Sequence, residues 1–404
     1  MTENKLVILG GSSPFTVALL NEFRGASDHL PPMDLVLFGR NRSNLELVAH
    51  YADALLSPTG WRVQVAVHLE DALAGADIVV HQIRYGGLEE REAGEDFCSR
   101  FGLIADETLG AAALRIALLS VPALRRSQAA FSSVCPDAWL LNLTNPLSAV
   151  TAVLAVEPSH TVGLCELPQQ TAYEAANIFG LRLQDIDWEY CGLNHRGFIH
   201  GFRHGARDLL NELPRILGNQ TIGGIAAEQI AELNAIPVKY YQLLLGSFHG
   251  SQGRSRFLGA LRRSLVGELR NCWTQSPPSL GQRDLSWHRH AVAPMIRALN
   301  AAEPETLVVN VVNNGLVEEV KARVSSQGVR VIPSTAPSGK VAELLSNFRR
   351  HEHAFVGAML KPSLETVAAT LAADPTIPRE IQDEVATALW RDVEGKVREP
   401  VSVL

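Results

Sequence analysis

Long apolar runs are missing from this 404-residue chain. No stretch reaches the roughly 20 residues that a membrane-crossing helix needs, so no membrane partner is expected. Cysteine is scarce. The five present (98, 135, 165, 191 and 272) are odd in number and lack framework spacing, so free thiols in a reducing cytoplasm are expected. Neither sign of charge dominates: the formal net charge is −7, with acids and bases interspersed. That argues against a nucleic-acid surface and against a polybasic anchor. The opening "MTENKLVILGG" lacks the basic start, apolar middle and small-residue cleavage site of a signal peptide.

What is there reads as globular: 46% hydrophobic and 20% charged residues. The length exceeds one ordinary core, so two domains are expected, residues 1–168 and 169–404. Short apolar runs at 5–10, 34–39, 62–67, 76–83, 138–146 and 160–168 alternate with helical patterns. That alternation predicts an α/β fold with a Rossmann-type, doubly wound parallel sheet. Beyond residue 170 the pattern changes to an aromatic-rich extended stretch (186–204), then helical patterns at 222–247, 254–272 and 289–302. One more extended run, "TLVVNVVNNG", and a helical tail follow, which predicts a mixed α+β, largely helical second domain.

"LGGSSPFT" (9–16) falls where the first strand turns into the first helix, the place for a pyrophosphate loop. The strict G-x-G-x-x-G spacing is absent, because Ser12 replaces one glycine. Gly10, Gly11, Ser12, Ser13, Phe15 and Thr16 are the candidate cofactor contacts. A second absence is the acid that normally closes the second strand in NAD sites. Here "FGRNRS" puts Gly39 in its place, followed by Arg40 and Arg42. Guanidinium groups suit a 2′-phosphate, which favours NADP over NAD. The plainer reading is two solvated arginines at a helix start.

"TVGLCELPQQ" (161–170) ends an apolar strand on a cysteine and a glutamate before a proline, and "GLNHR" follows at 192–196. Thiol and imidazole are both soft-to-borderline metal ligands. Taken alone, Cys165 would be a small buried hydrophobe and His195 a strand residue bonded to backbone. With "GGSSPFT", "IRYGGLEER", "ADETLGAAALR", "CPDAWLLNLTNP" and "IPVKYY", these motifs stand in one order over most of residues 5–245. Together they resemble glycoside hydrolase family 4, the nicotinamide- and metal-dependent glycosidases, whose fold is similar to lactate/malate dehydrogenases. "RDLSWHRHAVAPMIRAL" (283–299) is a weaker match to a later segment of that family.

The resemblance implies redox catalysis rather than two-carboxylate hydrolysis. The sugar would be oxidised at C3, lose a proton at C2, eliminate its aglycone, add water and be reduced again. It further implies Cys165 and His195 as ligands of a divalent metal, most often Mn2+, and Tyr240 as the base at C2. Arg91, Asn145 and Arg283 match positions that hold the sugar or its phosphate, and a homodimer or homotetramer is expected. The chain departs from the family at Glu166, where Asn, Asp or His is usual; an acid there suits protonation of the leaving group. The family's "GQET" reads "ADET", and its "RGG" reads Arg283-Asp284-Leu285. Asp284 beside an anion-binding arginine leaves both phosphorylated and unphosphorylated sugars open, and Glu166 leaves the anomer open. A 6-phospho-glucoside, cleaved as by a 6-phospho-β-glucosidase, is the substrate expected first. The alternatives are an NAD(P)-dependent dehydrogenase of the lactate/malate type and a non-catalytic sugar or nucleotide sensor. The dehydrogenase reading gives the "CELP…GLNH" pair no role.

Overall fold

The computed structural model describes residues 4–26, 28–155, 160–247 and 253–397. The first three residues of the N-terminal stretch and the last seven of the expected helical tail lie outside them. Six strands form the parallel half of one sheet: β1 (Lys5–Leu9), β2 (Asp34–Phe38), β3 (Arg62–Ala66), β4 (Ile78–His81), β5 (Trp139–Asn142) and β6 (Thr161–Gly163). Their spatial order is β3-β2-β1-β4-β5-β6, the doubly wound order, which reverses between β1 and β4. β1, β2, β4 and β5 read as near-continuous apolar runs because helices cover both faces. Outer strand β3, "RVQVA", is largely exposed and correspondingly mixed.

The sheet does not stop at β6. It continues antiparallel through β11 (Glu305–Asn313), β12 (Leu316–Ser325), β7 (Asp187–Leu193), β8 (Arg196–His204) and β10 (Ile236–Pro237). Two short strands flank this path: β9 (Arg207–Asp208) pairs with β8, and β13 (Gly328–Val331) pairs with β12. A single registered pair, Asn310 to Gly163, joins β11 to β6, and one more, Glu319 to Gly192, joins β12 to β7. One apolar cluster fills each face of the parallel half, and a third packs around β7 and β8.

Three expectations need correction. The extended run at 306–315 is half of the β11–β12 hairpin, and β12 went unseen because "LVEEVKARVS" alternates charges that suggest a solvated face. The helical pattern at 222–247 breaks up: a helix spans Ala227–Leu233, Asn234 ends it at φ +47°, β10 follows, and a short turn covers Tyr241–Leu244. The pattern at 289–302 is split as well. A π-turn, His288–Val292, leads into the helix Ala293–Asn300. The helix Arg254–Asn271 stands as read.

Candidate active site

A cavity of about 560 Å³ opens at the carboxyl ends of the parallel strands. The reversal of strand order places a crevice there, where open α/β sheets bind ligands. Gly10, Ser12, Ser13, Phe15 and Thr16 line it from the turn between β1 and the first helix, Thr16–Gly25. Gly10 sits at φ +90°, and a Cβ there would lie 2.7 Å from the Gln82 carbonyl oxygen, so the backbone approach requires glycine. Gly39 is similarly constrained: a Cβ would meet the Ser12 Oγ at 2.5 Å. The missing acid at the end of β2 thus has a steric cause. The bare turn, its serines and the helix N-terminus fit a dinucleotide's phosphates.

Cys165 lies two residues past the end of β6, and Glu166 is the N-cap residue of the helix Leu167–Ile178, whose second residue is Pro168. The cysteine, the acid and the proline of the quoted stretch are thus the link after a strand, a helix N-cap position and a helix start. His195 comes from the other half of the sheet, in the two-residue turn between β7 and β8, at φ +62°. Both residues line the cavity, as do Glu166, Asn194, Lys239 and Tyr240. Thr108 Oγ1 lies 2.7 Å from His195 Nδ1. With the hydroxyl oxygen accepting from Nδ1–H, the Nε2 lone pair remains as the coordinating site. Burial, with Lys239 and Arg196 nearby, pushes the imidazole down to about 3, so it is neutral. Burial, with Glu166 and Glu319, holds the Cys165 thiol well above its usual range.

Tyr240 stacks on His195, ring centroids 3.9 Å apart and planes within 8°. Its phenol is pushed far up by burial and by Asp106, Glu107, Cys165 and Glu166. Tyr241 instead packs edge-on against Phe198 in the third apolar cluster. Burial also raises Glu166; Asp284 adds to this and Lys239 opposes it. Among the described residues, no group of three or more His, Cys, Asp or Glu could hold a metal. Cys165 and His195, both on the cavity wall, are the soft donors that could hold an exchangeable cation, its remaining ligands coming from substrate and water. The buried Asn194 Oδ1 beside them has no hydrogen-bond partner.

Arg91, Asn145, Arg283 and Arg40 line the same cavity, with Arg40 exposed at its rim. Arg283 lies over the Phe15 ring at 4.5 Å and the Trp287 ring at 5.0 Å, its Nε unpartnered. Arg91 bonds Glu95 at 2.9 Å and also Glu107. Two candidates are not brought to the cavity. Gly11 lies behind the turn, its N–H on the Phe38 carbonyl at 2.8 Å. Arg42 is turned outward, 79% exposed, and pairs with Glu46.

Several residues of the lining were not foreseen: Arg84, Asp106, Glu107, Asn194, Lys239, Arg254 and Arg262. Glu107 receives both Arg84 and Arg91, and these guanidiniums, with Arg283, overcome burial to hold its carboxyl far below the usual range. Burial pushes Asp106 up to about 6, although its Oδ1 accepts the N–H groups of Thr108 and Leu109 at 2.8 and 3.1 Å. The signal for these residues was the polar "ADET" before an apolar helix.

A doubly wound nucleotide fold with a thiol, an imidazole and a phenol lining one cavity at its switch point defines a class: oxidoreductase architecture whose cleft carries candidate metal donors. The chain belongs to the family 4 glycosyl hydrolases. The family's profile matches residues 5–181, and that of its C-terminal domain matches 190–377. A probable 6-phospho-β-glucosidase of Bacillus subtilis is 24% identical over 95% of this chain and 96% of its own. A 6-phospho-β-glucosidase of Thermotoga maritima is 24% identical over 94% and 95%. A solved structure of the 6-phospho-β-glucosidase from Thermotoga maritima, with manganese, NAD+ and glucose-6-phosphate, superposes with a TM-score of 0.85. It is 22% identical and covers 97% of this chain and 99% of that one. A malate dehydrogenase of Cryptosporidium parvum shares the fold more distantly, with a TM-score of 0.53 at 13% identity.

Proposed function

We propose that this glycosidase cleaves a 6-phospho-glucoside by transient oxidation of the sugar, using NAD or NADP and a divalent cation such as Mn2+. One observation carries the reading: Cys165, His195 and the stacked Tyr240 share one cavity with the Gly10 turn. Neither the dehydrogenase nor the sensor alternative accounts for that convergence. When bound, the nicotinamide would supply reversible oxidation of a sugar carbon, and the cation, held by Cys165 and His195, would supply positive charge beside the sugar oxygens. Tyr240 takes the proton from C2 as a phenolate, the form that a cation's charge beside it would favour against burial; its ring position beside His195 allows that role and the position of Tyr241 does not. Glu166, raised toward its neutral form, donates a proton to the departing oxygen. Arg84, Arg91, Lys239, Arg254 and Arg283 outnumber the acids facing them, which supports an anionic, phosphorylated sugar despite Asp284. The 6-phospho-glucosidases among the relatives point the same way. Arg40 is the guanidinium left to favour a 2′-phosphate. Assembly as a homodimer or homotetramer, in the cytoplasm, belongs to the same proposal; sedimentation tests the first.

The decisive experiment is turnover in heavy water. Product should carry deuterium at C2, a bond that acid–base hydrolysis never breaks. Tyr240→Phe should retain metal and dinucleotide binding and lose most exchange, while Tyr241→Phe stays near normal. Efficient cleavage with unlabelled C2 overturns the mechanism.

A further inference from the structure

The turn that carries His195 has a backbone conformation that a non-glycine residue adopts only when its surroundings impose it. Those surroundings are buried polar groups joined into a circuit by hydrogen bonds, two short stretches of backbone and one charge contact. Arg196, the next residue, is 4% exposed and donates from Nη1 to His351 Nδ1 at 3.2 Å. Because that nitrogen accepts, the ring proton sits on Nε2, which lies 3.2 Å from Asp374 Oδ2, an electrostatic contact without hydrogen-bond geometry. Asp374 Oδ2 also accepts the Gly110 N–H at 2.8 Å. Gly110 opens the helix Gly110–Val134, and Thr108, two residues earlier, returns to His195 Nδ1 at 2.7 Å. The path thus starts and ends on the same histidine. His351 comes from the helix Gly339–Leu360, and Asp374 caps the helix Leu364–Ala373. His351 is fully buried and Asp374 is 3% exposed.

Burying such groups is costly, and apolar residues of similar volume usually pack as well. A ring that closes on one side chain makes sense as a device that fixes that side chain. We propose that Asp374, His351 and Arg196 are positioning residues that hold His195 in its metal-binding pose, so that the C-terminal helices set cation affinity. This rests on the reading of His195 as a ligand. Outer partners of ligating histidines commonly change affinity 10- to 100-fold.

The test is titration of the full-length protein with Co2+ alone, followed by calorimetry and visible absorption. Asp374→Asn, which is nearly isosteric, should weaken Co2+ binding about tenfold or more and alter the cobalt spectrum. Its dinucleotide affinity should stay within about twofold of the parent's. Thr108→Val, which cuts the ring at its other end, should do the same, and it carries the test if Asp374→Asn does not fold. The double variant should weaken binding by less than the product of the two, because both act through one pose. A folded Asp374→Asn or Thr108→Val protein with lowered Tm but parental cobalt affinity and spectrum overturns the inference alone. Parental protein that binds no cobalt overturns the ligand assignment, and the inference with it.

Discussion

The two tyrosines at 240 and 241 are indistinguishable by type and adjacent in sequence; only the ring stacked on His195 separates them. A shared location was legible where several motifs had to agree in order, as with Cys165, His195 and Tyr240, which line one cavity. It was illegible for Arg84, Glu107 and Lys239, because a lone charge in sequence looks the same whether it faces solvent or a cavity. The two arginines after β2 show the same limit: Arg40 lines the cavity and Arg42 pairs with Glu46. Arg40→Ala should therefore weaken NADP binding about tenfold and NAD binding little, the scale of one charge-assisted hydrogen bond. Arg42→Ala should change neither. Fluorescence titration with both dinucleotides decides it, and equal losses would remove the 2′-phosphate role. For Glu166→Gln, poor leaving groups should slow by roughly 100-fold, while nitrophenyl substrates, which need little protonation, slow far less. Equal slowing of both classes would mean that Glu166 only positions.

At the level of elements, the parallel strands were readable because two-sided burial leaves near-continuous apolar runs. The antiparallel half was harder. β12 carries four charged residues in ten, yet Glu319 within it is fully buried, satisfied by Tyr190 at 2.5 Å and Asn310 at 2.9 Å. Periodicity cannot reveal a charge whose partners come from other strands. The β1-to-helix turn, by contrast, declares itself through glycine. Gly10→Ala meets both a positive φ and a backbone oxygen at 2.7 Å. It should cost about 1–3 kcal/mol of stability and most of the dinucleotide affinity. Thermal melts with and without cofactor measure both; an unchanged cofactor-induced rise in Tm would show that the turn does not carry the phosphates.

For the molecule as a whole, Asp374 ties the C-terminal helices to the helix Gly110–Val134, and its ionisation ties stability to pH. Burial opposes its charge, but His351 and Thr376 prevail and bring its carboxyl down to about 2, below the unfolded value near 4. A depressed acid contributes stability above its unfolded pKa and loses it as pH falls. Acid unfolding should thus include a loss of about 2 kcal/mol between pH 4 and 2, absent in Asp374→Asn. Denaturant titrations across that window check the sign. The continuous sheet has a further, practical consequence. β6 is paired on its far side by β11, a strand more than 140 residues later in the chain. A fragment cut near residue 168 would present β6 as a bare edge, its backbone donors and acceptors open to any passing strand. Such a fragment should self-associate when expressed alone and become monodisperse only when the remaining chain is supplied in trans.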